Sequence, residues 1–416
     1  MAGSSQASRS WFSRVLQRVR PAAPITVGVD LMLMQPGGAN GGVKPLVYSF
    51  LAEIARTHGR SFRYVVFAQP ELAPEITAFL RPCDELVCAT QPSTLNPQLP
   101  ARRSLGEGGS TLNPPPNVAS AKAGQPSTSH LSVLYAPFGR SPLIRPGLPT
   151  VSLIVDLLHR DLPEALPPEE VHYRHEWFQQ LATSATFFQC ISHYTASRLQ
   201  LHNAVPPARC FVTHIPVHQR LATDAIGTAE SPIAGPFFFY PANSWPHKNH
   251  EALLAAYQRY RSAASAEAWP LVLTGYPDAR MQSLATHATS LGLGGHVHFL
   301  GHVDDAHFRA LWRAAGALVY PSRHEGFGIP LLEAMSFRCP IIAANTTSLP
   351  EVGGDACLYV DPNDVASLAS ALTRIASDAA LRAALVQRGT ERLAEFSLSR
   401  EAAKLADCLV RAAGRS

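Results

Sequence analysis

From residue 25 onward, short β-branched and aromatic runs alternate with stretches of helical period, and after an interruption the alternation starts again. Strands that alternate with helices pair in parallel, because a parallel neighbour is reached only through a long crossover, and the resulting sheet carries helices on its faces. In the first half the predicted strands are Ile25–Asp30, Phe62–Phe67, Glu85–Ala89, Val133–Tyr135, Thr150–Val155 and Phe187–Ser192. Small and polar residues with two prolines over Ala222–Pro236 mark a boundary. Beyond it come strand Phe237–Tyr240, helix Asn249–Arg261, strand Leu271–Thr274, helix Asp278–Leu291, strand Val297–Phe299, helix Asp304–Ala315, strand Ala317–Tyr320, helix Pro330–Phe337 and strand Pro340–Ala344. The expected fold is therefore α/β, with two doubly wound domains. Ligands of such sheets bind outside the carboxyl ends of the strands, so a two-domain arrangement points to a cleft between them.

The expected division is a basic tail over 1–20, a first domain over 21–222, a second over 223–395, and a C-terminal helix over 396–416 that packs back on the first domain. Residues 91–130 hold seven prolines, four glycines and nine Ser/Thr with no aromatic, which reads as a disordered insertion. Within it Ser93-Thr94-Leu95-Asn96-Pro97 recurs as Ser110-Thr111-Leu112-Asn113-Pro114, a local duplication.

A length of 416 residues with 46% hydrophobic and 16% charged residues suits two or three ordinary globular domains. No window supplies the 18 apolar residues of a membrane span, and the N-terminus lacks the apolar core of a secretory signal, so a cytoplasmic location is expected. The first 20 residues carry Arg9, Arg14, Arg18 and Arg20 beside Trp11, Phe12, Val15, Leu16 and Val19. Two readings stand for this tail: a basic amphipathic helix that touches anionic lipid on the inner face of the membrane, or a frayed terminus. No further basic run with interleaved aromatics follows, which argues against nucleic acid. Seven scattered cysteines without a Cys-x-x-Cys pair read as reduced core residues. The absence of any Asp-x-Asp pair, and of organised carboxylates beside His172, His175, His296, His298, His302 and His307, leads to no expected metal and no cofactor.

The chemistry concentrates in Pro321-Ser322-Arg323-His324-Glu325-Gly326-Phe327-Gly328-Ile329-Pro330-Leu331-Leu332-Glu333. A strand runs into a glycine-punctuated loop, and Pro330 suits the first turn of the next helix, where its missing N–H costs nothing. The free N–H groups and the dipole of that helix favour a phosphate, while Gly326 and Gly328 permit close backbone approach. Glu325 and Glu333 can face one pocket and accept hydrogen bonds from paired hydroxyls, which sugars present.

Glu325, seven intervening residues and Glu333 resemble the E-x7-E signature of retaining glycosyltransferases of family 4, the group 1 enzymes, whose GT-B fold sets two Rossmann-like domains face to face. Tyr240–His250 is similar to that family's diphosphate-binding segment, Phe299-Leu300-Gly301-His302-Val303 to its nucleobase loop, and Asn345–Gly354 to the segment that closes over the sugar. The likeness is strong over 235–415 and weaker over 25–220. By this resemblance Glu333 would hold the donor's ribose, Glu325 the transferred sugar and Lys248 the diphosphate. Gly326, Phe327, Gly328, Ile329, Asn243, His247, Gly301, His302, Val303, Ser348 and Leu349 would line the donor. Composition separately favours Lys248, one of only four lysines against 31 arginines, placed at the start of a helix just after a strand.

The loop Gln35–Gly42 would bring Gly41 and Gly42 to the donor phosphates or the acceptor; it fails the G-x-G-x-x-G spacing because residue 39 is alanine, which removes the best motif for a nicotinamide enzyme. Thr150–Glu164 resembles a strand-end segment of the reaction centre that often reads His-Asp-Leu. Here Val155 stands in the histidine's place, so Asp156 would be catalytic, with His159 on the acceptor side. The arginine that many relatives carry before the lysine is also missing, with Asn243 in that neighbourhood, unless His247, Arg323 or Arg140 substitutes. The resemblance implies transfer of a hexose, mannose in the first instance, from GDP-mannose or a UDP-hexose to a hydroxyl of a glycan or lipid-linked acceptor. The two departures motivate an alternative, a catalytically impaired nucleotide-sugar-binding protein.

Overall fold

The computed structural model describes residues 23–36, 42–89, 127–216, 229–264 and 268–415. The basic tail, Gly41, residues 91–126 of the insertion and the boundary at 222–223 lie outside them. Two parallel sheets account for the strands. The first contains β1 (Ile25–Asp30), β2 (Phe62–Ala68), β3 (Glu85–Cys88), β4 (Val133–Ala136), β5 (Thr150–Ile154), β6 (Phe187–Cys190) and β7 (Cys210–Val212), in the order β3-β2-β1-β4-β5-β6-β7. The second contains β8 (Phe238–Pro241), β9 (Leu271–Thr274), β10 (Val297–Phe299), β11 (Ala317–Tyr320), β12 (Ile341–Ala344) and β13 (Cys357–Val360), in the order β10-β9-β8-β11-β12-β13. Both are the α/β, Rossmann-like domains expected.

In each sheet the strand order reverses once, between β1 and β4 and between β8 and β11. Chain leaving neighbouring strands there diverges to opposite faces, which opens a crevice at their carboxyl ends. The loops after β8 and β11 thus carry a site because of topology. The strands beneath are covered on both faces: β4, β5, β9, β11 and β12 are buried throughout, as helix-covered parallel strands must be. In the second domain Trp312 closes the core edge-on against Phe239, with ring centroids 4.9 Å apart.

Several boundaries differ from the sequence reading. Phe187–Ser192 ends as a strand at Cys190, since Ser192 instead caps helix His193–Asn203, its hydroxyl accepting from the Thr195 amide. Thr150–Val155 and Glu85–Ala89 each stop one residue earlier. β7 was not predicted; it is three half-buried residues long, too short for a period. Cys83 is exposed and Cys210 half-buried, which corrects the assignment of all seven cysteines to the core.

The chain crosses between domains a second time near its end. Helix Leu398–Ala412 lays Ala402, Leu405, Ala406, Leu409 and Ala412 on the first domain, against helix Val43–Thr57. Ser399 hydrogen-bonds Glu53, and the buried Glu401 accepts from the His214 amide at 3.0 Å.

Candidate active site

The loop after β8 is pinned by a residue with unusual backbone. Asn249, in the left-handed region at φ 62°, ends a short turn over Pro246–Lys248 and donates from Nδ2 to the carbonyls of Pro321 (3.1 Å) and Pro362 (2.7 Å). Asparagine is among the few side chains that tolerate this conformation. The loops after β8, β11 and β13 are thereby knitted together, and Lys248 is aimed inward. Its Nζ donates to Glu325 Oε1 at 2.6 Å and to the Tyr320 hydroxyl at 3.0 Å, while its carbonyl accepts from the Tyr240 hydroxyl.

Glu325 is held from behind. Its amide donates to Thr347 Oγ1 at 3.1 Å, and the Ser348 hydroxyl bridges the carbonyls of Glu325 and Phe327 at 2.9 Å each. Burial pushes the Glu325 carboxyl up, but the ammonium of Lys248 outweighs it and holds the group below its ordinary range. The Tyr320 hydroxyl is driven well above its ordinary value by burial and by Glu325. The result is a fixed carboxylate and cation over the start of helix Ile329–Ser336, where Gly328 at φ 106° makes the turn and packs on Leu349.

Burial first, then Lys248, lowers His247 to about 4, and burial lowers His250 to about 4 as well. Both imidazoles are neutral in the folded protein. A base with a depressed folded pKa leaves the unfolded chain holding more protons between pH 4 and about 6.5, so stability falls as pH drops through that window. The melting temperature should decline over this range, and less steeply in His250→Phe than in the parent.

A small cavity of about 170 Å³ joins the two domains and brings together Gly42, Asp156, Glu325, Gly326, Phe327, Gly328 and Ile329. Asp156 faces it from the end of β5; one of its oxygens accepts from the Leu158 amide at 2.9 Å and lies 3.5 Å from Arg174. Glu333 is half-buried, five residues into the helix. Asn243 and Gly301 sit apart, at the ends of β8 and β10. The Asn243 side-chain Oδ1 accepts from the Tyr276 amide, and the Gly301 main-chain carbonyl from the Gly275 amide. His302 beyond them is exposed and Val303 half-buried. Ser348 and Leu349 spend their side chains on supporting the Glu325 loop. His159 is buried outside this cavity, its ring on Phe178 at 4.8 Å. Of the candidate substitutes for the missing arginine, Arg140 lies over the Tyr173 ring in the first domain and Arg323 is exposed.

Sequence reasoning missed the groups that join the domains. Asp161 accepts from His324 Nε2 (3.0 Å), the Tyr194 hydroxyl (2.9 Å), Arg198 Nε (2.6 Å) and His202 Nε2 (3.0 Å). Burial would raise its carboxyl, and these four donors together hold it well below the usual range. Glu351, from the second domain, caps helix His193–Asn203 of the first, accepting from the amides of His193 (2.7 Å) and Tyr194 (3.0 Å), where the helix dipole favours an anion. It also accepts from His214 Nε2 at 2.8 Å. His193, His214 and Glu351 are the one group among the described residues with metal-ligand atoms this close, within 4.8 Å, and the carboxylate oxygens there already serve as acceptors. Asp161, His324 and Glu351 lie in segments quoted from the sequence, whereas His193, Tyr194, Arg198, His202 and His214 lie in none.

Residues 229–392, which include every element of the Lys248–Glu325 arrangement, match the family described as glycosyl transferases group 1. The second domain is thus similar to that family. The chain is 31% identical over 245 residues to the O-antigen chain mannosyltransferase B of Escherichia coli, covering 56% of this chain and 63% of that protein. It is 34% identical over 139 residues to the O-antigen chain mannosyltransferase RfbU of Salmonella typhimurium, covering 33% of this chain and 38% of that one. The chain thus spans about two fifths to under two thirds of these relatives. A glycosyltransferase structure from Rickettsia africae superposes with a TM-score of 0.63 at 12% identity, over 94% of this chain and 100% of that one, a likeness of fold. The two facing domains are the GT-B arrangement.

Proposed function

We propose that this protein transfers a hexose, mannose in the first instance, from a nucleotide diphosphate sugar to a hydroxyl of a glycan or lipid-linked acceptor, with retention at the anomeric carbon. The observation that carries the proposal is the buried Lys248–Glu325 pair at the strand-order reversal of a group 1 domain. As the bond to the anomeric carbon breaks, negative charge grows on the leaving diphosphate. Lys248 and the amides at the start of helix Ile329–Ser336 meet that charge where it develops, in a site that needs no reorganisation. The Lys248 ammonium then turns from Glu325 to phosphate, and the freed Glu325 carboxylate accepts the sugar's hydroxyls while Glu333 accepts the ribose hydroxyls. The leaving phosphate takes the acceptor proton on the same face, so no covalent nucleophile and no divalent cation is required.

The mannosyltransferase relatives support mannose as the hexose transferred; the proposed donor is GDP-mannose, with a UDP-hexose as the alternative. No helix among the described residues is long and apolar enough to cross a membrane. The cytoplasm is the compartment proposed for the reaction, and anionic lipid remains a proposed contact of the four arginines in the first 20 residues. A thermal-shift screen of GDP-, UDP- and ADP-sugars tests the donor: a ligand at 100 times its dissociation constant stabilises by about 2.7 kcal/mol. A product of inverted anomeric configuration, or no transfer from any bound donor, would overturn the reading. Asp156→Asn keeps size and removes charge. It should lower transfer while nucleoside diphosphate affinity stays within about twofold, below roughly 0.5 kcal/mol. Equal losses in both would place Asp156 on the donor side.

A further inference from the structure

Glu325 is held by its own domain, through the Lys248 ammonium and the hydroxyls of Thr347 and Ser348. The residues on either side of it are held by the other domain. His324, 3% exposed, reaches Asp161 through Nε2 at 3.0 Å. The Gly326 carbonyl accepts from the Ser192 hydroxyl at 2.7 Å and from the Thr195 hydroxyl at 3.2 Å.

This placement matters once the donor's phosphate draws Lys248 away, because Glu325 then loses the cation that fixes its carboxylate. A misplacement of about 1 Å between reacting groups can cost on the order of a hundredfold in rate. With His324 and Gly326 both anchored, the backbone at Glu325 stays where it is whichever way Lys248 turns. Asp161 suits the task of anchor. Its side chain is 6% exposed, and Arg198 Nε donates to it at 2.6 Å, so its charge is answered independently of His324. A hydrogen bond to an ionised acceptor is roughly twice as strong as one between neutral groups. Another tie between the domains, from Glu351 to the amides of His193 and Tyr194, is made by helix Leu349–Gly353, which does not carry Glu325.

We propose that His324 and Asp161 are positioning residues of the transfer reaction: through them, and through the Ser192 hydroxyl at Gly326, the first domain holds Glu325 in place after Lys248 has turned to phosphate. The inference rests on the transfer reading and deepens it, since Glu325 then acts only while the domains are docked.

The test uses the full chain, with GDP-mannose as donor, α-linked mannotriose as acceptor, turnover followed as GDP released, and calorimetry with GDP. His324→Phe keeps a ring beside Tyr194 and removes the N–H; Asp161 retains its bonds from Tyr194, Arg198 and His202, so the fold should survive. His324→Gln restores an N–H at similar reach. His324→Phe should lower kcat by about tenfold or more while GDP affinity stays within about twofold, and His324→Gln should recover most of the loss. Glu351→Gln loosens the docking elsewhere and should change kcat much less. Parental kcat in His324→Phe, or no recovery in His324→Gln, would overturn the proposal. An equal loss in Glu351→Gln would overturn it too, because docking alone would then be the cause. If His324→Phe does not fold, Ser192→Gly decides: it frees the other neighbour of Glu325, glycine is still accepted at a helix N-cap, and parental kcat there overturns the proposal. No turnover in the parent would instead overturn the transfer reading.

Discussion

Lys248→Met and Glu325→Gln should each lower sugar transfer by about two to three orders of magnitude, the usual loss when one group that stabilises developing charge is removed. Each substitution has a second effect, because the pair is buried and joined at 2.6 Å with side chains 11% exposed. Removing one partner leaves the other charge unpaired away from water, at about 3–5 kcal/mol of stability. The double variant has no orphaned charge and should recover most of that stability while remaining inactive. Stability and turnover therefore separate only in the double variant. Near-parental turnover in either single variant would remove that residue from the site, and a double variant no more stable than the singles would mean that the pair is not coupled.

Gly326→Ala should be as damaging to transfer, for a reason that lies in the backbone. A Cβ at this position would stand 1.8 Å from the Val155 carbonyl oxygen and 2.9 Å from its carbon, on the opposite domain. No rotation of a side chain relieves a contact with main chain, so the domains must move apart at this point. Ser192 and Thr195 also donate to the Gly326 carbonyl, at 2.7 and 3.2 Å, and would be pulled from it. A displacement of about 1 Å between reacting groups can cost on the order of a hundredfold in rate. Nucleoside diphosphate affinity should survive, because Lys248 and helix Ile329–Ser336 lie within one domain. Parental kcat in Gly326→Ala would show that the docked arrangement is not the one that reacts.

The strands that were legible in the sequence are those with enough residues to show a buried run between turn signals, such as Ile25–Asp30 and Leu271–Thr274, recovered with their bounds. Beyond Ala344 the reading assigned no further strand, and it missed Cys357–Val360, the edge of the second sheet, where two of four residues are half-buried and the apolar signal is diluted. Within the site, Glu325 and Lys248 were readable because each sits in a local motif. Asp161 and His324 were not, since they meet 163 positions apart and neither needs the other for its own local structure. Glu351 was hidden for a related reason: it caps a helix that belongs to the other domain, and capping rules read from sequence look only a few residues away. His159 was expected on the acceptor side; its ring is buried against Phe178 of the following long helix, a contact that no local motif announces.

The return of helix Leu398–Ala412 to the first domain has a consequence for biosynthesis. A ribosome releases helix Val43–Thr57 early, yet the helix that packs against its outer side emerges only after the entire second domain has been made. At the usual rates of roughly 5–20 residues per second, the first domain waits tens of seconds with helix Val43–Thr57 lacking this neighbour, and folding cannot finish in the order of synthesis.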